Sequence, residues 1–269
     1  MKKKLALLLA LVMLFSLAAC GAAEPTPAEP TPAAEEEPVA TEAPADEAAE
    51  EPAAETVTFT DSSGREVELP ANITKIAPSG PVATMILAAF APEKLVCVGT
   101  KVNENQIPYL YDGIGDLPVT GQLYGGKATL NLEELLATGA EVIIDLGDFK
   151  KSIADDLTAL QEQTGLPCIF IEADLTHMAD AFRSLGTLLG KEERGEELAK
   201  LVEETMTMAA ENSAKITEEQ QLSVLYSSGS DPLGTNAEGS SQAHVLGIVG
   251  AKNAVVLEEV TSKGGGNMI

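Results

Sequence analysis

The sequence predicts an α/β protein with one complete lobe, a single long helix, and the start of a second α/β unit. Three observations carry this. Short β-branched runs such as Val142-Ile143-Ile144 and Cys168-Ile169-Phe170-Ile171 alternate with helical stretches, the order that builds a mostly parallel sheet with helices on both faces. From Glu192 to Lys215, Leu198, Leu201, Val202, Thr205 and Met208 recur at helical spacing among many charges, a stretch too long and too polar for an ordinary crossover helix. After it, Leu222-Ser223-Val224-Leu225-Tyr226 opens a new strand.

The chain begins with Lys2, Lys3 and Lys4, then an almost unbroken apolar run from Leu5 to Leu17. That run falls short of the ~20 residues a membrane-spanning helix needs and has the layout of a secretory signal, residues 1–19. Leu17-Ala18-Ala19-Cys20 resembles the bacterial lipobox. The resemblance implies lipid on the Cys20 sulfur, cleavage just before it, and anchoring on the extracytoplasmic face of the cell membrane. Residues 21–55 hold 7 Pro, 12 Ala and 11 Asp or Glu, with no Lys, Arg, Leu, Ile or aromatic residue. Such a segment buries too little apolar surface to offset its ordering entropy, so 20–55 is expected to be a lipidated cysteine on an extended acidic stalk.

The whole chain carries 17 basic and 42 acidic residues, a net charge of −25. With the leader and stalk set aside the remainder is still strongly acidic, which excludes nucleic acid as a partner because phosphate contacts need clustered Lys and Arg. Cys97 and Cys168 sit in apolar, strand-like runs; two buried free thiols are expected, and an exported chain would also permit a disulfide.

Within the body, Val57–Thr60 and Glu66–Leu69 alternate around Asp61-Ser62-Ser63-Gly64, a hairpin pattern. Ile73–Ala77 reads as a strand and Val82–Phe90 as a helix with Pro81 in its first turn. Leu95–Val98 reads as a second strand. Asn131 caps a helix whose Leu132, Leu135 and Leu136 form one stripe and which Gly139 ends. Val142–Ile144, a helix from Ser152 to Gln163, and a strand at Cys168–Ile171 follow. The chain is then helical from Thr176 with a break near Gly190. Gln242–Gly250 reads as a helix and Ala254–Val256 as a strand. The expected divisions are a first lobe at 56–190, a connecting helix at 191–217 and a second unit at 218–269.

In open parallel sheets ligands sit beyond the carboxyl ends of strands. This selects Ser79 and Gly80, where the free N–H groups of the next helix favour anions, then Thr100 and Lys101, then Leu146, Gly147 and Asp148. In the second unit it selects Ser227–Ser230, including Ser228, with Asn236 and His244 nearby in sequence. Lys101 and Lys127 would favour an anionic chelate.

Gly121 to Lys127 spells G-x-x-x-x-G-K, but Ala128 replaces the metal-binding hydroxyl of a phosphate-binding loop and the preceding strand is weak. With two His in the chain, His177 and His244, direct capture of a bare transition metal lacks ligands; His177 is expected at the surface and His244 in helix packing. No G-x-S-x-G occurs and no nucleophile has an evident basic partner, so an exported hydrolase is the weaker alternative and a non-enzyme is expected.

The ordered set Ile76-Ala77-Pro78-Ser79-Gly80-Pro81, Gly121-Gln122, Asn131-Leu132-Glu133-Glu134-Leu135-Leu136, Ala140–Ile144, Leu188–Glu193 and Gly247–Ala254 resembles the substrate-binding lipoproteins of ABC importers for iron–siderophores, haem and cobalamin. The resemblance runs from about Val57 to the end. It implies two Rossmann-like α/β lobes joined by one rigid helix, with ligand in the cleft between them. It also implies a monomer working with an ABC permease dimer and its ATPase, and a small metal chelate as ligand rather than a resident cofactor. A ferric siderophore is expected first and haem or cobalamin second. The resemblance adds Leu123 and Tyr124 as ligand residues and Glu133 as the carboxylate that docks on the permease. The helical stripe independently turns Glu133 outward. Fewer residues follow the long helix than a second lobe needs, so the expectation is an incomplete second lobe in a C-terminally truncated sequence.

Overall fold

A computed structural model describes residues 55–124, 129–227 and 235–256. All of them lie in one unit, Glu51–Ile269; the other unit, Met1–Glu50, lies outside the described residues. The signal peptide, Cys20, nearly all of the stalk, Lys127 and Ser228 likewise lie outside them.

Strands β1 (Thr56–Thr60) and β2 (Glu66–Pro70) pair antiparallel, Thr60 opposite Glu66. The Asp61 carboxylate closes the turn between them by accepting from Ser63 N at 2.9 Å and Arg65 N at 3.0 Å. The same turn reaches the main sheet. Ser62 N donates to Phe170 O at 2.8 Å, Phe170 N donates to Asp61 Oδ2 at 3.2 Å, and the Arg65 guanidinium donates to Cys168 O at 2.8 Å. The hairpin turn thus satisfies backbone groups that an open sheet edge would leave bare.

The main sheet is parallel, in the order β3 (Ile76–Pro78), β4 (Val142–Gly147), β5 (Cys168–Glu172). The expected strand at Leu95–Val98 is reduced to two parallel bridges, Leu95 to Ile76 and Val98 to Val119. The segment changes partner partway along and builds no continuous ladder with either.

Five helices cover this sheet: α1 (Pro81–Phe90), α2 (Leu132–Ala137), α3 (Ile153–Thr164), α4 (Met178–Leu189) and the 22-residue α5 (Glu192–Ser213). β4 shows why both faces must be covered. Successive side chains of a strand point to opposite faces. Val142, Ile144 and Leu146 enter a core with α1, α4 and α5, while Ile143 enters another with α2 and α3. The expected α2 stripe needs one correction. Leu135 is fully buried and Leu132 partly, but Leu136 is exposed, because six residues make too short a helix for a wide buried face. Cys97 and Cys168 are buried free thiols, and burial pushes both up, Cys168 to about 12.

α4 and α5 meet across Gly190, whose φ of +63° suits glycine. Their backbones touch: a Cβ on Gly195 would lie 2.6 Å from Phe182 O. Lys191 pairs with Glu93 at 2.5 Å and Arg194 donates to Ala89 O at 3.2 Å, tying the start of α5 to the end of α1. The helical spacing read along α5 divides in two. Leu198 and Val202 pack on the core, whereas Leu201 and Met208 are exposed farther along.

Beyond α5, β6 (Ser223–Val224) pairs parallel with β7 (Lys252–Asn253), and α6 (His244–Ile248) precedes β7. Both strands are shorter than expected, and the second falls two residues before Ala254–Val256. His244 is exposed rather than packed, since none of the residues of α6 is buried. The fold is α/β, with parallel pairing in the sheets β3-β4-β5 and β6-β7 and an antiparallel pair in the β1–β2 hairpin. Among the described residues no helix is long and apolar enough to cross a membrane.

Candidate functional site

The site begins where β3 ends. Ser79 N donates to Ile144 O at 3.1 Å, so the β3–β4 register continues into the loop, and Ser79 O accepts from Leu123 N at 2.8 Å. Gly80 is extended and caps α1, with Pro81 at its first position. Gly99 packs so closely that a Cβ there would lie 2.5 Å from the carbonyl carbon of Gly80. Thr84 locks the pair: its hydroxyl donates to Gly80 O at 2.8 Å and accepts from Gly99 N at 3.0 Å. The first turn of α1 is thereby fixed with its unpaired N–H groups at the carboxyl end of the sheet.

That turn opens on a cavity of about 320 Å³ lined by Ser79, Gly80, Val82, Tyr124, Asp145, Gly147 and Lys150, among others. Inside it the Ser79 hydroxyl donates to the Asp145 carboxylate. Burial raises the Asp145 carboxyl above its ordinary value, opposed by that hydrogen bond and by the Lys150 charge. Lys150 Nζ sits 3.5 Å from the centre of the Tyr124 ring, a cation–π arrangement. Burial, with Asp145 nearby, pushes the Tyr124 phenol up and keeps it protonated. At the rim, Ser241, from the segment before α6, donates to Asp148. The cavity therefore presents helix N–H donors, the Ser79 hydroxyl and one ammonium, beside two carboxyls, Asp145 and Asp148. This set can hold an anionic or hydroxyl-bearing ligand; it offers no activated nucleophile.

Of the residues selected from sequence, Ser79, Gly80, Tyr124, Leu146, Gly147 and Asp148 line this cavity together. Leu123 does not. Gln122 and Tyr124 face the cavity, and Leu123 between them packs toward Leu130 and Leu132, as alternation along an extended segment requires. Its peptide N–H nevertheless holds the Ser79 carbonyl. Lys101 lines a separate neighbouring cavity. Asn236 is buried near β7, its N–H donating to Tyr226 O at 3.0 Å and its carbonyl accepting from Asn253 Nδ2 at 2.9 Å. Glu133 and Glu134 are exposed in the first turn of α2, where Asn131 Oδ1 accepts from both N–H groups at 3.2 and 3.3 Å. Sequence reasoning missed Lys150, Asp145 and Ser241. Lys150, three residues past β4, was within reach of the carboxyl-end rule.

His177 is at the surface, as expected. With Glu172 and Asp174 it brings ligand-type atoms within 4.8 Å of one another. Asp174 is already committed to the start of α4, accepting from Thr176 N at 2.7 Å and His177 N at 2.9 Å. The Thr176 hydroxyl, the His177 ring and those two N–H groups outweigh partial burial and hold its carboxyl at about 2.

By sequence the chain matches no family profile and no curated protein. By structure it matches solute-binding proteins of ABC transporters. One is such a protein from Sulfurospirillum deleyianum, 25% identical with a TM-score of 0.66, the match covering 78% of this chain and 65% of that one. Another is the molybdate-bound periplasmic binding protein MolA of Haemophilus influenzae, 16% identical, TM-score 0.61, covering 76% and 67%. A third is the heme-binding protein HmuT, 18% identical, TM-score 0.52, covering 74% and 63%. This chain thus spans about two thirds of the length of these proteins. Its fold is that of the ABC-transporter solute-binding proteins, the class that the sequence resemblance named.

Proposed function

We propose that this chain is the ligand-capturing component of an ABC importer, held outside the membrane by lipid on Cys20, and that its ligand is an anionic metal complex, a ferric siderophore first. The observation that carries the reading is the convergence of the α1 N-terminus and the Lys150 ammonium, beside the Ser79–Asp145 pair and Asp148, on one cavity at the carboxyl end of a parallel sheet. The helix N-terminus and the ammonium favour negative charge there. The segment around Ser241 faces it across the rim, where a second lobe would close over the ligand. Glu133, exposed at the start of α2, is the carboxylate available for the permease.

The second reading is a compact oxyanion. Helix N–H donors and one ammonium suit it, and MolA, which shares the fold, was solved with molybdate.

Isothermal titration of the lipid-free chain with a ferric siderophore, haemin and molybdate tests both readings. A metal complex should bind, and Lys150→Ala should weaken it about tenfold, the usual effect of losing a charged hydrogen bond. Tight binding of molybdate alone selects the second reading. Binding of none, or binding indifferent to Lys150→Ala, overturns both.

A further inference from the structure

We infer that a second cavity beside α1 is an apolar compartment of the same ligand site, built to take an aromatic or otherwise planar apolar body attached to the anionic head. The inference rests on the first cavity being the ligand site.

The second cavity measures about 590 Å³ and is the larger of the two. One wall is α1, where Pro81, Thr84, Met85 and Ala88 fall on a single face by their i, i+3, i+4, i+7 spacing. A stripe of that kind normally enters a core. Here the other wall is the loop after Gly99, contributing Lys101, Val102, Tyr109 and Leu110, and the space between is open. Met85 is 67% exposed and Tyr109 88% exposed. Large apolar side chains gathered around an unfilled concavity mark a binding surface. A Met and a Tyr ring supply polarisable, stacking-competent walls.

Pro81 identifies the occupant, because it lines both cavities. The two adjoin at the first turn of α1. A ligand whose charged head meets Ser79 and Lys150 would lay an attached body across Pro81 onto Met85 and Tyr109. Lys101 at the far wall would accept a second negative group. A compact oxyanion leaves this compartment empty, so the compartment favours an amphiphilic metal complex.

The chain has no Trp, so Tyr109→Trp places a sole indole reporter at the compartment with little change of shape. The probe is 8-anilinonaphthalene-1-sulfonate, an anionic group on a fused aromatic body. Saturable quenching of the indole at one site is expected. Met85→Asp in the same background should weaken the probe about tenfold, with the unfolding transition unchanged because Met85 is exposed. Absence of saturable quenching, or quenching indifferent to Met85→Asp, overturns the inference. So does a Met85→Asp chain that binds the probe normally yet loses transport in vesicles carrying the permease, which would make the patch a permease contact. If the probe fails while Lys150-dependent binding of a metal complex persists, only the second compartment is lost. If both fail, the ligand site itself is wrong.

Discussion

The two parallel sheets among the described residues both begin from apolar runs and end in different condition. In the first, β4 is buried along nearly its whole length between helices on both faces. In the second, β6 and β7 pair over two residues each, no residue of α6 is buried, and Leu222, Leu225 and Val249 are exposed among the described residues. The apolar runs Val142–Ile144 and Leu222–Tyr226 have comparable strand character, so intrinsic propensity does not separate them. What separates them is cover: α1, α4 and α5 on one face and α2 with α3 on the other give β4 its ladder and its core together.

The largest expected effect probes that difference directly. Ile144→Ala removes a fully buried side chain from the first sheet and should cost about 2–5 kcal/mol. Leu222→Ala, at a position 73% exposed, should cost less than about 0.5 kcal/mol. Urea unfolding monitored by circular dichroism measures both. Equal costs would show that the second sheet is as well packed as the first.

A smaller effect reads the site within the well-packed lobe. Burial raises the Asp145 carboxyl, so the native state keeps a proton that the unfolded chain releases. Stability from this group is therefore full below the ordinary carboxylate value of about 3.9 and is lost as pH rises through the higher folded value. Asp145→Asn keeps an acceptor for Ser79 and should remove that fall, giving a flatter stability profile above about pH 4 than wild type. Parallel profiles would mean that Asp145 is ionised at no cost in the fold.

The smallest effect on stability concerns Glu133. Its side chain is exposed and shares the first turn of α2 with Glu134, so Glu133→Ala should change stability by no more than about 0.3–1 kcal/mol through the helix dipole. If Glu133 docks on the permease, transport in vesicles falls while ligand affinity holds, and Glu134→Ala leaves transport near wild type. Equal transport by the two variants would reduce Glu133 to a dipole partner.

Much of the first lobe was legible because its signals are local. The hairpin around Asp61, Pro81 at the start of α1, the Asn131 cap and the glycine stop at Gly190 each follow from the chemistry of a few neighbouring residues. Ser79, Gly80, Leu146 and Gly147 were reached by one rule about strand ends, and Tyr124 by resemblance. The misses have a common cause. Leu136 and Leu201 carry apolar side chains at helical spacing, yet helix length and position leave them in water. Lys101 and Lys150 both follow an apolar extended segment, and only their placement about Pro81 sorts them into different cavities. Period and cap chemistry are written in a window of a few residues, so the sequence by itself determined most of the helices and the central strands of the first sheet and which strand ends border the cavity. The partner of each surface depends on residues far away in the chain. Asp61 on the edge of β5, Gly99 against Gly80, and Ser241 on Asp148 were therefore decided only by the tertiary structure.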